Sequence, residues 1–184
     1  KHMMYFYDKD LGTNNKPNTN NVEIFYDGKK KFVSNYSIGK FSERKNQIFK
    51  KNEKISSYGD SLCFGRFVDD NKTWQYQLSK KIRKNVQNFG VGNYGLDQAF
   101  LKYKNNKKQK IDKSNSVIFL FGPEVLRRNL SIWKHFYEFG NIFNTKPAFI
   151  YNKYTKKFEL IKNPNCKKLH RFDFELLKKK IIFK

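Results

Sequence analysis

The chain has 184 residues, of which 38% are hydrophobic and 17% aromatic, enough for one domain with a real core and too apolar for wholesale disorder. Its 39 Lys and Arg against 16 Asp and Glu give a net charge of +23, which raises the question of a nucleic-acid or other polyanionic partner. The lysines are scattered, no zinc-finger spacing or RNA-recognition signature accompanies them, and Lys, Asn, Phe, Tyr and Ile are enriched together, so nucleic acid is not the expected partner.

Two cysteines, Cys63 and Cys166, do not make a disulfide framework. With three histidines in unsuitable spacing they do not make a zinc site either, so no metal and no cofactor is expected. No run of about eighteen apolar residues marks a transmembrane segment. Two free thiols fit a reducing, cytoplasmic compartment more easily. The start on Lys1-His2-Met3-Met4 leaves an upstream leader or anchor open.

Residues 8–50 are polar and rich in turn formers. Within them Val22–Tyr26 and Lys31–Asn35 flank Asp27-Gly28, a hairpin signal. Residues 1–50 therefore read as a small N-terminal β appendage, and 51–184 as the main domain. From Lys54 the rhythm becomes strand, helix, strand, helix. Ile55–Tyr58 predicts a first strand. Trp74, Leu78 and Ile82 share a four-residue period that predicts a helix over 74–82. Val86–Val91 and Leu96–Tyr103 predict the second strand and second helix.

Ser116–Phe121 is the most apolar strand candidate and reads as buried on both faces. Glu124–Phe139 predicts a longer helix. After Pro147, Ala148–Tyr151 and Phe158–Ile161 predict a second hairpin around Tyr154-Thr155, and a short helix is expected near Phe174–Leu177. This alternation predicts an α/β fold with a mostly parallel sheet, right-handed crossovers and helices on both faces.

Three glycine-marked turns follow the three strands: Gly59-Asp60-Ser61, Gly90-Val91-Gly92-Asn93-Tyr94-Gly95 and Gly122-Pro123-Glu124. In a parallel sheet such turns emerge on one edge, where open α/β sheets place ligand chemistry. Ser61 is the side chain there that can act as a nucleophile, with backbone N–H groups beside it facing a developing oxyanion. Asp60 is either catalytic support or a cap on the following backbone, the cap being favoured. Cys63 reads as a small buried filler, and Trp74 and Trp133 as core.

These blocks resemble the SGNH, or GDSL-type, serine hydrolases. Gly59-Asp60-Ser61-Leu62-Cys63-Phe64-Gly65 is similar to their first block, which implies that Ser61 is the nucleophile. Asn88-Phe89-Gly90-Val91-Gly92 is similar to the second, which implies that Gly92 lends a backbone N–H to the oxyanion hole with that of Ser61. Asp10-Leu11-Gly12, Lys16-Pro17-Asn18 and Arg127-Arg128-Asn129 resemble a bacterial branch often associated with surface glycans. The resemblance covers roughly residues 8–162. It implies a three-layer α/β/α, flavodoxin-like fold and an esterase acting on an acylated glycan or other ester.

Two departures stand out. The family's third block is Gly-x-Asn-Asp, and here Glu124 takes the asparagine's place; an ionised glutamate cannot donate to an oxyanion, so either a neighbour such as Asn129 substitutes or the hole is made of backbone N–H groups alone. The family's Asp-x-x-His is also missing. His170-Arg171-Phe172-Asp173 has the two residue types in reversed order, which makes His170 a candidate base, and His135 reads as a helix-surface histidine. A serine without a base is a poor nucleophile. The expectation is therefore a C-terminally incomplete hydrolase domain, with an inactive relative or a basic polyanion-binding module as the alternatives.

Overall fold

The computed structural model describes residues 4–46, 48–49, 54–130, 132 and 145–163. It is a mixed α/β structure: a three-stranded parallel sheet, three two-stranded antiparallel pairs and few helices. Among the described residues no helix is long and apolar enough to cross a membrane.

Strand β1 (Tyr5–Asp8) pairs antiparallel with β2 (Gly12–Asn15). The turn between them is made by Asp8, whose Oδ1 accepts the N–H groups of Asp10 at 2.9 Å and Leu11 at 3.0 Å, so a side chain stands in for a backbone turn. β3 (Thr19–Asp27) and β4 (Lys30–Ile38) form the hairpin that Asp27-Gly28 foretold, longer at both ends, with Asp27 paired to Lys30 across Gly28-Lys29. Tyr36 and Ile38 at its inner end are buried with Phe64.

Arg44 joins this hairpin to the parallel sheet, bridging Ile38 on one side and Asn88 on the other. That sheet has the order β6 (Asn85–Asn88), β5 (Lys54–Gly59), β7 (Ser116–Leu120). Central β5 is not an apolar run. Its buried Ser56 and Tyr58 both donate to Asp112 Oδ2, at 2.8 and 3.0 Å, and Ser57 donates to the Gln87 carbonyl at 2.8 Å. Each buried hydroxyl thus has a partner. Around it Leu11, Tyr58, Phe89, Val91, Tyr94, Ala99 and Leu101 form the main core, with the Tyr58 and Phe89 rings stacked at 5.0 Å.

Two expectations are corrected. β7 lies at an edge of the three described strands and is half-buried, not buried on both faces. The helix expected over 124–139 is α4 (Pro123–Arg127) followed by a 3-10 turn at Arg128–Leu130. Arg128 turns back there to bond Asp60 and the Tyr94 carbonyl, and beyond Leu130 only Ile132 is described before Thr145.

α2 (Trp74–Ile82) matches its expected bounds; Thr73 caps it by accepting the Tyr76 N–H at 3.3 Å, and Trp74 is half-buried. α3 (Leu96–Lys108) runs further than expected. Asp97 in its first turn and Lys107 and Lys108 in its last complement the helix dipole. β8 (Ala148–Asn152) and β9 (Lys157–Ile161) form the predicted second hairpin. Trp133 and the expected helix near 174–177 lie outside the described residues.

Candidate active site

β5 ends at Gly59 and the one-turn helix α1 (Ser61–Phe64) starts two residues later. Asp60 is its N-cap: Oδ1 accepts the Leu62 N–H at 2.9 Å, and Oδ2 accepts from Arg128 Nη1 at 3.0 Å, with both side chains largely buried. Both carboxylate oxygens are thereby committed to holding the turn. Gly65 closes α1 at φ +74°, a left-handed value that glycine takes without penalty. Ser61 is the first helical residue and half-buried. Its hydroxyl has no hydrogen-bond partner among the described residues. Beneath it, buried Gln75 of α2 donates to the Cys63 carbonyl at 2.6 Å, tying α1 to the longer helix.

The parallel register pairs Ser57 with Asn88 and Gly59 with Leu120, so the turns after all three strands leave from one edge. The segment after β6 keeps following β5: Phe89 N–H donates to the Ser57 carbonyl at 2.9 Å and Val91 N–H to the Gly59 carbonyl at 3.1 Å. Asn88 locks this course by accepting the Gly90 N–H at 3.0 Å and donating to the Phe64 carbonyl at 3.1 Å. Gly92 is buried at the end of the path. A Cβ there would collide with the Tyr5 hydroxyl, so glycine is what lets that ring close over the turn.

The third turn is different. Pro123 occupies the first turn of α4, where its missing N–H does no harm. Glu124 faces solvent in an ion pair with Arg127 at 2.6 Å. Asn129 lies at the start of α3, its Oδ1 accepting the Asp97 N–H at 3.4 Å, and buried Lys146 forms an ion pair with Asp97. Asn129 and Asp97 also border an apolar cavity of about 620 Å³ lined by Phe100, Phe119, Phe149 and Phe158.

Burial pushes the Cys63 thiol up to about 12, with Asp60 adding to the effect. A thiol this far from ionisation is no nucleophile, in keeping with the filler role. His2, His135 and His170 all lie outside the described residues. Among the described residues no group of three or more His, Cys, Asp or Glu could hold a metal ion. Sequence reasoning named Ser61, the Asp60 cap and the Gly92 turn, and the structure shows the cap and brings the turns to one edge. That reasoning missed the Asp60–Arg128 pair and Tyr5, which reach the turns across 68 and more than 80 residues of chain without any local pattern to announce them. No protein-family model matches the chain, and no curated protein matches it.

Proposed function

We propose that the chain is an SGNH-type serine esterase domain, built on a three-layer α/β/α sheet, that acts on O-acyl groups of a carbohydrate. The observation that carries this reading is a half-exposed serine opening a helix straight after the central strand of a parallel sheet, its turn fixed by a capping aspartate. Two further features support it. The strand order, second–first–third, is how flavodoxin-like sheets begin, and such sheets bind ligands at the carboxyl edge beside the first and third strands. The Gly92 turn leaves from that same edge.

In this mechanism Ser61 Oγ attacks the acyl carbon, and its proton passes to a histidine base. The Ser61 and Gly92 N–H groups hold the carbonyl oxygen as it becomes negative. The tetrahedral intermediate collapses with loss of the sugar alcohol, which takes up the proton. Water, activated by the same base, then releases the acid and frees Ser61. Asp60 acts by positioning the turn, not by proton transfer.

Because no Asp-x-x-His occurs in the chain, the 184 residues are expected to turn over 4-nitrophenyl acetate slowly, with oxyanion and binding contributions leaving about 10³- to 10⁴-fold over water. Ser61→Ala should leave that floor in place and remove any turnover above it. Turnover well above that floor and untouched by Ser61→Ala overturns the reading, whereas fast turnover lost in His170→Ala assigns the base to His170.

A further inference from the structure

A second cleft, of about 330 Å³, reaches the Gly90–Gly95 turn at Asn93 and the residue after α1 and Gly65, Arg66. It is lined by Tyr5 and Asn93, by Asn21, Glu23 and Tyr36 of the β3–β4 hairpin, and by Arg66. Arg66 N–H donates to the Ser61 carbonyl at 3.0 Å. Tyr5 covers Gly92, and Asn93 follows it in the chain. The cleft therefore lies beside the Gly92 turn, and Arg66 ties it to the backbone of α1.

Its polar groups are held in place. Glu23 Oε1 accepts from Arg66 Nε at 2.9 Å, Glu23 Oε2 accepts from the Tyr36 hydroxyl at 2.6 Å, and Tyr36 in turn accepts the Phe67 N–H at 2.9 Å. Burial works against the Glu23 charge, but bonds from Arg66 and Tyr36 hold its carboxyl below the usual range. The guanidinium and the carboxylate cancel, so among the described residues that line it this cleft offers no uncompensated cation. Asn21, only 8% exposed, donates to Thr19 Oγ1 at 3.0 Å. Its Oδ1 is buried without a partner, and a half-turn of the amide about its soft terminal torsion exchanges the two ends, giving up the Thr19 bond.

We propose that this cleft seats the alcohol portion of the ester, a neutral hydroxyl-rich group such as a sugar ring, with a ligand hydroxyl donating to Asn21 and the Glu23–Arg66 pair setting its orientation. The N-terminal hairpin is then a wall of the binding site. This assignment rests on the esterase reading of Ser61.

The test is a titration of the ¹⁵N-labelled Ser61→Ala chain with N-acetylglucosamine and, separately, with glucuronic acid. The neutral sugar should shift the amides of Asn21, Arg66 and Asn93 saturably and without regard to salt, and glucuronic acid should bind no more tightly. Asn21→Leu should weaken the neutral sugar about tenfold or more while the melting temperature holds, since the change also removes an unpaired buried oxygen. Glu23→Gln, which keeps the shape, should weaken it too.

Shifts that miss the cleft, or glucuronic acid binding more tightly and weakening steeply with salt, overturn the assignment. Turnover of 4-nitrophenyl acetate, which carries no sugar, reads the esterase chemistry separately. Turnover above the base-free floor that needs Ser61, with no sugar response, sinks the cleft alone; a sugar response with turnover above that floor indifferent to Ser61→Ala sinks the ester reading and the alcohol site with it.

Discussion

Two buried cations set the terms at the scale of single residues. Arg44 is fully buried and spends its whole fork: Nε to Asp70 at 2.7 Å, Nη1 to the Phe64 and Gly65 carbonyls at 2.9 and 2.6 Å, and Nη2 to the Val68 and Asn35 carbonyls at 2.6 and 3.3 Å. It also stacks on Tyr36 and Phe64, 4.6 and 4.8 Å from the ring centroids. A lysine cannot match that planar fork. Arg44→Lys is expected to cost about 3 kcal/mol and Arg44→Met about 3–5 kcal/mol, read from urea unfolding. A loss below about 1 kcal/mol in both would contradict this role.

Lys102 gives a pH dependence with a definite sign. Burial pushes its ammonium down to about 7, although Asp8 and Glu43 favour the charge. In the unfolded chain the same group titrates near 10.4, so between about 7 and 10 the unfolded state holds a proton the folded state has released. Stability from Lys102 therefore rises with pH across that window and is lowest below about 7, where both states are protonated. Lys102→Met removes the term without orphaning an acceptor. Asn14 Oδ1 keeps the Asn15 N–H at 3.0 Å, and the Ser42 carbonyl keeps Asn15 Nδ2 at 3.2 Å. The variant should be more stable than the parent at pH 6.5, and the gap should close toward pH 9. A gap that widens with pH would refute the assignment.

At the scale of elements, the candidate site is a strand-to-helix turn held by distant partners. Removing Arg128 leaves Asp60 Oδ2 buried beside Ser61 without its cation. Arg128→Met should cost about 2–3 kcal/mol, and Asp60→Asn in the same chain should recover part of it, so that the double-mutant cycle is non-additive. Additive losses would mean that the two side chains do not act together. What was legible in the sequence follows the same division. The four-residue period of Trp74, Leu78 and Ile82 and the Asp27-Gly28 signal are local patterns, and the helix and the hairpin are there. β1 and β2 were missed because Gly12–Asn15 is polar without alternation, and their turn is closed jointly by the Asp8 side chain and by Gly12 at φ +83°. The end of α4 was missed because an ion pair to a residue in another turn decides it. At the site, Ser61 and its cap are neighbours in sequence and could be read; Tyr5 and Arg128 come from far along the chain and could not.

At the scale of the whole molecule, the charge of +23 and the Ser61 turn point to different chemistries. A polyanion-binding surface loses affinity steeply between about 50 and 200 mM salt as counterions are released. Ester chemistry at a site whose nearest ion pairs, Glu23–Arg66 and Asp60–Arg128, are internally matched should change little over that range. The central claim is that Ser61 is set apart from the chain's other hydroxyls by its place at the end of β5. The most direct measurement is labelling of the folded chain with a fluorophosphonate, followed by peptide mass spectrometry. One adduct is expected, on the peptide containing Ser61, formed at least about tenfold faster than on any other serine, abolished by urea and absent in Ser61→Ala. Adducts spread over many hydroxyls at similar rates, or unchanged in Ser61→Ala, would contradict it.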